Sequence, residues 1–154
     1  MLDGAALVFD MGLYQARLPA HLRYSEIHFW FDSTQTGEGS TTRCGLTSFA
    51  ARLLSDVFRL EWKVTVGQPV ADAELLGEIE SMKASSELYA PMAGRLCAIN
   101  AEVVEKPLLI AQDPYAAWLL EFEGLPVAAL DVQGYHHFLA EGWEETQRLL
   151  KGQM

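Results

Sequence analysis

Among the residues of this chain that can make a covalent bond, one lysine stands apart by its surroundings. Of Lys63, Lys83, Lys106 and Lys151, only Lys83 falls between two matched strand patterns, in the stretch 77–94 (G-E-I-E-S-M-K-A-S-S-E-L-Y-A-P-M-A-G). A strand pattern buries a residue least at its reversal, so the ε-amine at position 83 is expected at an exposed hairpin tip. Once deprotonated, such an amine can attack an activated carboxyl group and exchange its charge for a neutral amide. The chemistry on offer is attachment. A solvated turn lysine with no further role is the plain alternative, and the flanking chain has to decide between them.

Presenting that amine requires a hairpin in fixed register, and the neighbouring segments supply further short strands. Residues 26–31 (E-I-H-F-W-F) read as a strand, 32–42 as a hairpin loop with Gly37 and Gly39, and 43–46 as its return. No G-K-[ST] follows those glycines, so they are not a phosphate loop. Thr47 or Ser48 caps a short helix over 49–54, with Phe49, Leu53 and Leu54 on one side. In 57–62 the residues Phe58, Leu60 and Trp62 alternate with Arg59 and Glu61, which predicts a half-buried strand.

Two segments that flank the lysine hairpin resemble each other. Residues 66–76 and 99–109 match in spacing, with Gly67 against Asn100, Val70 against Val103 and paired leucines at 75–76 and 108–109. Two copies are too few for a solenoid. They predict a pseudo-twofold pair of β-units with the hairpin between them. After the turn Asp113-Pro114-Tyr115, residues 118–122 read as a last strand. Asp131 then caps a helix whose Tyr135, Phe138, Leu139, Trp143, Leu149 and Leu150 recur at helical spacing as a packing face. His136 and His137 diverge around that helix and suit its surface better than a metal. Residues 1–20 read as a short apolar helix or an extended arm docked on its own domain. The expected fold is mostly β with α appendages: a flattened β-barrel or sandwich, a short internal helix and a C-terminal helix.

Composition narrows the class further. At 154 residues, half of them apolar, the chain is long enough to bury a single core. A formal charge of −10, from 21 acidic against 11 basic residues, argues against nucleic acid and favours basic protein partners. No run of apolar residues is long enough for a membrane helix. Cys44 and Cys97 form neither a CxxC pair nor a zinc pattern, which fits a reducing cytoplasm, and no secretory or transit signal precedes residue 20.

The hairpin resembles the swinging-arm domains that carry lipoyl or biotinyl groups in amide linkage to a lysine. The biotinyl pattern is A-M-K-M and this chain has S-M-K-A, so the hairpin by itself leaves the cofactor open. A wider match settles it. From about residue 22 to 123 the chain resembles the glycine cleavage system H-protein family. Residues 80–94 follow that family's E-S-V-K-A-[AS]-S-[DE]-x-Y-[SA]-P-x-S/A-G, residues 24–30 its Y-x-x-x-H-x-W, and residues 44–54 its V-G-I-T-D-Y-A-Q-x-x-L. Asn100 and Asp113-Pro114-Tyr115 match its N-x-x-L and N-D-P-Y.

The resemblance implies a lipoyl-type barrel-sandwich hybrid, divided into an N-terminal extension (1–21), the β domain (22–126) and a C-terminal helix packed on it (127–154). It implies lipoate on Lys83, with Glu80 and Glu87 as recognition residues and His28 and Ser48 at an arm cleft. Apart from such a cleft, core packing is the default role of His28 and Trp30. The expected function is that of a non-enzymatic, cytoplasmic carrier that shuttles an aminomethyl intermediate in glycine cleavage. Its partners would be glycine decarboxylase, aminomethyltransferase, dihydrolipoyl dehydrogenase, and a lipoate ligase or lipoyltransferase. Three positions depart from the family pattern: Phe29 replaces a carboxylate, Ser48 an aspartate, and Ala116-Ala117 a longer link. They leave open an H-like carrier for bacterial sulfur oxidation or lipoyl relay, and behind it a biotinyl carrier or an unmodified interaction module.

Overall fold

A computed structural model describes residues 5–152, excluding the side chains of Thr36 and of positions 149–152. The chain opens on two strands, β1 (Ala6–Met11) and β2 (Tyr14–Pro19), then runs β3 (Arg23–Tyr24), β4 (Phe29–Thr36), β5 (Gly39–Leu46) and the helix α1 (Ser48–Leu54). Next come β6 (Val57–Trp62), β7 (Pro69–Val70), β8 (Leu75–Ser81), β9 (Ser85–Tyr89) and β10 (Gly94–Ile99). The order closes with α2 (Ala101–Glu105), α3 (Leu109–Gln112), β11 (Leu120–Glu123) and α4 (Val132–Gly152).

A six-stranded sheet in the order β3-β4-β5-β11-β10-β7 faces a three-stranded sheet β6-β8-β9. Between them lies the main core, with Phe29, Phe31, Leu46, Leu96, Leu120 and Phe122 from the first sheet and Leu60, Leu76, Ile79 and Leu88 from the second. The arrangement is a sandwich, the second of the two forms expected. Each large side chain taken out of water here contributes roughly 1.5–3 kcal/mol.

The F-W-F run of β4 explains why the molecule needs more than two layers. Successive side chains on a strand point to opposite faces. Phe29 and Phe31 therefore enter the main core while Trp30 points the other way, and all three are buried. The layer that covers Trp30 is a second cluster built from the chain's two ends: Phe9, Met11, Ala16 and Leu18 from β1 and β2, and Val132, Tyr135 and Leu139 from α4. The N-terminal segment is thus a β-hairpin, docked as expected, and not a helix. Phe9 and Met11 alternate against solvent-facing neighbours; Phe9 lies opposite Ala16, and both join Leu18 in the second cluster.

Five further expectations change. The strand read at 26–31 begins three residues late, at Phe29, because His28 takes a left-handed backbone (φ 71°) that strand geometry excludes. The polar loop at 32–42 is mostly strand, because Ser33 and Thr34 pair with Thr42 and Thr41 and leave only positions 37–38 as the turn. Threonine favours such cross-strand pairs, so polarity there marks exposure and not a loop. The second copy of the internal repeat is helical: Asn100 accepts from the Glu102 N–H and caps α2, so no pseudo-twofold pair of β-units forms. Val70 and Val103 are nonetheless both buried. The last strand begins two residues late, at Leu120.

The fifth change lies in β6. A register shift between Val57 and Arg59 turns Phe58 outward, so it does not share a face with Leu60 and Trp62. The two expected helices form with the expected caps: Thr47 accepts from the Ala50 N–H at α1, and Asp131 accepts from the Gly134 N–H at 2.8 Å in α4. Of the packing face foreseen on α4, Tyr135 and Leu139 are buried and Phe138 and Trp143 partly so, whereas the side chains of Leu149 and Leu150 lie outside the described residues.

Candidate functional site

Strand β8 ends at Ser81 and β9 begins at Ser85, so Met82, Lys83 and Ala84 form the reversal. Ser81 builds that turn. Its N–H donates to the Ala84 carbonyl at 2.8 Å, and its hydroxyl donates to the same carbonyl at 3.0 Å. The Ser81 Oγ also accepts from the backbone N–H groups of Ala84 (3.1 Å) and Lys83 (3.4 Å). From the side, the Met82 N–H donates to the Asp56 carbonyl at 3.0 Å, which anchors the turn to the chain entering β6. The backbone is pinned and the Lys83 side chain is exposed.

The two carboxylates read as recognition residues are both oriented by neighbours. One guanidinium nitrogen of Arg59 donates to Glu80 at 2.6 Å and the other lies 3.1 Å from Glu61. Glu61, and after it Glu80, hold the Arg59 pKa above its ordinary value. On β9, the Tyr89 hydroxyl donates to Glu87 at 2.8 Å. Because Glu78 pairs with Glu87 and Glu80 with Ser85 in the ladder, these side chains share the outer face of the hairpin sheet.

A cleft of about 200 Å³ runs beside β9, where the three-stranded sheet meets β4 and α1. Its lining is mostly apolar, with Ile27, Phe29, Leu46, Leu53, Leu54 and Leu88 prominent. Ser86, Glu87 and Tyr89 border it from β9, the strand that leads directly away from Lys83. Such a pocket favours a small uncharged, weakly hydrated group over an ion.

His28 lines this cleft and Ser48 does not. His28 has a left-handed backbone (φ 71°), fixed by its N–H to the Ser25 carbonyl and by the Thr47 N–H to its own carbonyl. Its Nδ1 lies 2.8 Å from the Tyr135 hydroxyl, which lies 2.9 Å from the Thr47 hydroxyl. Burial pushes the His28 pKa down to about 4, so the ring is neutral near pH 7. Burial also pushes Tyr135 up, so it keeps its proton. The three groups then form a consistent chain in which Thr47 donates to Tyr135 and Tyr135 to His28. Ser48 faces the N-terminal hairpin instead: its hydroxyl accepts from the Arg17 N–H, and its own N–H donates to the Tyr115 hydroxyl. Tyr115 in turn donates to the Arg17 carbonyl.

Sequence reasoning brings Lys83, Glu80 and Glu87 together but misses what holds them. Arg59 reads only as the polar side of a strand, yet it fixes a carboxylate beside the lysine, as Tyr89 does. Tyr135 reads as part of an apolar stripe. Its signal was available, since a tyrosine on a buried stripe has a hydroxyl that must find a partner. The partner, His28, lies 107 positions away and no local pattern reveals it.

Comparisons with known proteins bear on most of the chain. The sequence model of the family described as glycine cleavage H-protein matches residues 22–132. The chain is 40% identical over 105 residues to the glycine cleavage system H protein of Corynebacterium jeikeium, a match that covers 68% of this chain and 82% of that protein. It is 36% identical over 135 residues to the H protein of Mycolicibacterium vanbaalenii, covering 82% and 99%. The crystal structure of a glycine cleavage system H protein from Mycobacterium marinum superimposes with a TM-score of 0.68 at 31% identity, covering 81% of this chain and 98% of that one. Sequence, fold and the extent of both matches agree, and the chain belongs to the glycine cleavage H-protein family.

Proposed function

We propose that this protein is a lipoyl carrier of the glycine cleavage system, with the lipoyl group in amide linkage to Nζ of Lys83. The observation that carries the reading is an exposed lysine on a turn pinned by Ser81, whose following strand leads along an apolar cleft. The residues present suit the group. Lys83 offers the amine, Glu80 and Glu87 flank it in fixed orientation, and the leucines and Phe29 of the cleft offer an apolar resting place. When attached, lipoate supplies a redox-active dithiolane that carries the aminomethyl group between enzymes. The chain itself tethers, shelters and presents that group, which raises its effective concentration at each partner's site. As a carrier it needs no catalytic acid or base. Its partners on this reading are the glycine decarboxylase, the aminomethyltransferase, dihydrolipoyl dehydrogenase and the lipoyl-attaching enzyme, in the cytoplasm. Ser48 lies outside the cleft lining, and its hydroxyl accepts from the Arg17 N–H instead.

Intact mass of the protein produced in a lipoylating host tests this directly. The wild type is expected to carry one lipoyl adduct and Lys83→Arg none. A biotin-sized adduct, or an adduct that persists in the variant, overturns the assignment.

One observation favours a second reading of the cargo. Phe29 occupies the cleft lining, and Glu87 at the rim is the only carboxylate among the lining residues. A cationic aminomethyl group would find one partner there. An H-like carrier for sulfur chemistry would not need it. Glycine–bicarbonate exchange with the decarboxylase separates the two, since the second reading requires no exchange at all.

A further inference from the structure

The bulge in β6 places a large apolar side chain outside the core, opposite the end of β8 that runs into the lysine turn. Val57 and Leu60 are buried, while the two residues between them, Phe58 and Arg59, both turn outward, and Phe58 is 55% exposed. Two consecutive outward residues are what a bulge produces, at the loss of a ladder position. Met82, next to Lys83, is 72% exposed. The hydrogen bond from its N–H to Asp56 joins the lysine turn to the start of β6, so Phe58, Met82 and Lys83 are held in fixed relation.

Around this apolar pair the outer face of β6-β8-β9 is acidic. Register sets Glu61 opposite Glu78 and Glu78 opposite Glu87, a row of three carboxylates across three strands. Like charges placed directly opposite cost stability. Arg59 and Lys63 offset the row only in part, with Lys63 3.8 Å from Glu78. Neither the bulge nor the row serves the core.

We propose that this face is the docking surface of the enzyme that acylates Lys83, with Phe58 and Met82 as apolar anchors inside a carboxylate frame. The matching partner surface is an apolar socket rimmed by lysine and arginine. The inference rests on the lipoyl reading of Lys83. Proximity selects the acylating enzyme over the others. In its step the deprotonated Nζ attacks the carbonyl carbon of lipoyl adenylate. The C–N bond forms, the bond to the leaving AMP breaks, and the amine's proton goes to solvent. That enzyme must therefore close to within one lysine side chain of the turn, onto Phe58 and Met82. Enzymes that act on the distal end of the attached arm can stand off by the arm's full length.

The test uses full-length unmodified protein, an ATP-dependent lipoate ligase, lipoate and ATP, with the gain in mass followed over time. Phe58→Thr is expected to lower kcat/KM about tenfold, and Met82→Ser less, with the change in KM. Leu13→Ser, which removes a still more exposed apolar residue from the tip of the N-terminal hairpin, is expected to match wild type. Added salt is expected to slow wild-type attachment through KM. Wild-type rates for both Phe58→Thr and Met82→Ser, or a loss confined to kcat, overturn the docking surface while the lipoyl reading stands. No attachment to the wild type overturns both. Met82 is largely exposed and belongs to neither core cluster, so its variant remains informative if Phe58→Thr folds poorly.

Discussion

The two ends of the sandwich solve opposite problems. At the lysine end, polar hydrogen bonds from Ser81 pin a turn whose side chains stay in water, and carboxylates crowd one face. At the far end the termini bury an aromatic cluster, in which Tyr24 stacks on Tyr135 with ring centroids 4.7 Å apart and Phe9 packs edge-on to Phe49 and Trp143. The first end accepts a cost in stability to keep a surface open. The second supplies stability and holds the back of α1, whose other side lines the cleft. The family match covers residues 22–132, so the N-terminal hairpin lies outside it and most of α4 does too.

If that division is right, a cut into the far end should weaken the fold and leave attachment intact. Phe9 is 5% exposed and touches Phe49, His136 and Trp143. Phe9→Ala is expected to cost about 3–5 kcal/mol in urea unfolding, the usual range for a buried phenylalanine. Folded variant should still gain the lipoyl adduct at the wild-type rate. A slowed rate at a temperature where the variant is fully folded would break the comparison, because the two ends would then be coupled.

What was legible in the sequence follows the same division. The hairpin, its lysine and its flanking carboxylates were readable because they are contiguous, and so were the caps Thr47 and Asp131. Interactions that join distant segments were not. The chain Thr47–Tyr135–His28 spans most of the sequence, and Ser48 was placed at the cleft on the strength of its position in a motif, although its hydroxyl meets Arg17. The Phe58 bulge hid behind an apparently regular alternation, since a one-residue insertion in the ladder reverses which neighbours share a face. The N-terminal strands were ambiguous for the reason that short apolar runs usually are. Their alternation of Phe9 and Met11 acquires meaning only against Ala16 and Leu18.

His28 stands between the two regions and gives the next test. Its pKa in the fold is lowered to about 4 from an ordinary 6.5. Between those values the unfolded chain binds a proton that the folded chain does not, so stability rises with pH and is lost as pH falls through the window. The loss should reach on the order of 2 kcal/mol by pH about 4.5. Protonation at Nδ1 would also set a donor against the Tyr135 hydroxyl and reverse the chain that Thr47 begins. Urea unfolding of the wild type and of His28→Asn across that range checks the point. The variant should be less stable near neutral pH and show a flatter decline on acidification, the remainder coming from carboxylates. An identical slope in both would place the acid sensitivity elsewhere.

Arg59 gives the smallest expected change in stability and the sharpest contrast with Phe9. Its side chain is 42% exposed, and its pairs with Glu61 and Glu80 are of the surface kind that contribute little. Arg59→Gln should leave the thermal midpoint unchanged within error. Yet the substitution frees the Glu80 carboxylate from its orienting donor and makes an already acidic face more so. If an oriented Glu80 is what the lipoyl-attaching enzyme reads, attachment slows although charge complementarity has improved; if only the net acidity of the face matters, attachment quickens at low salt. The sign of the change in kcat/KM therefore tells geometry from charge at the lysine end. It does so in a variant whose fold is undisturbed, the reverse of what Phe9→Ala does at the other end.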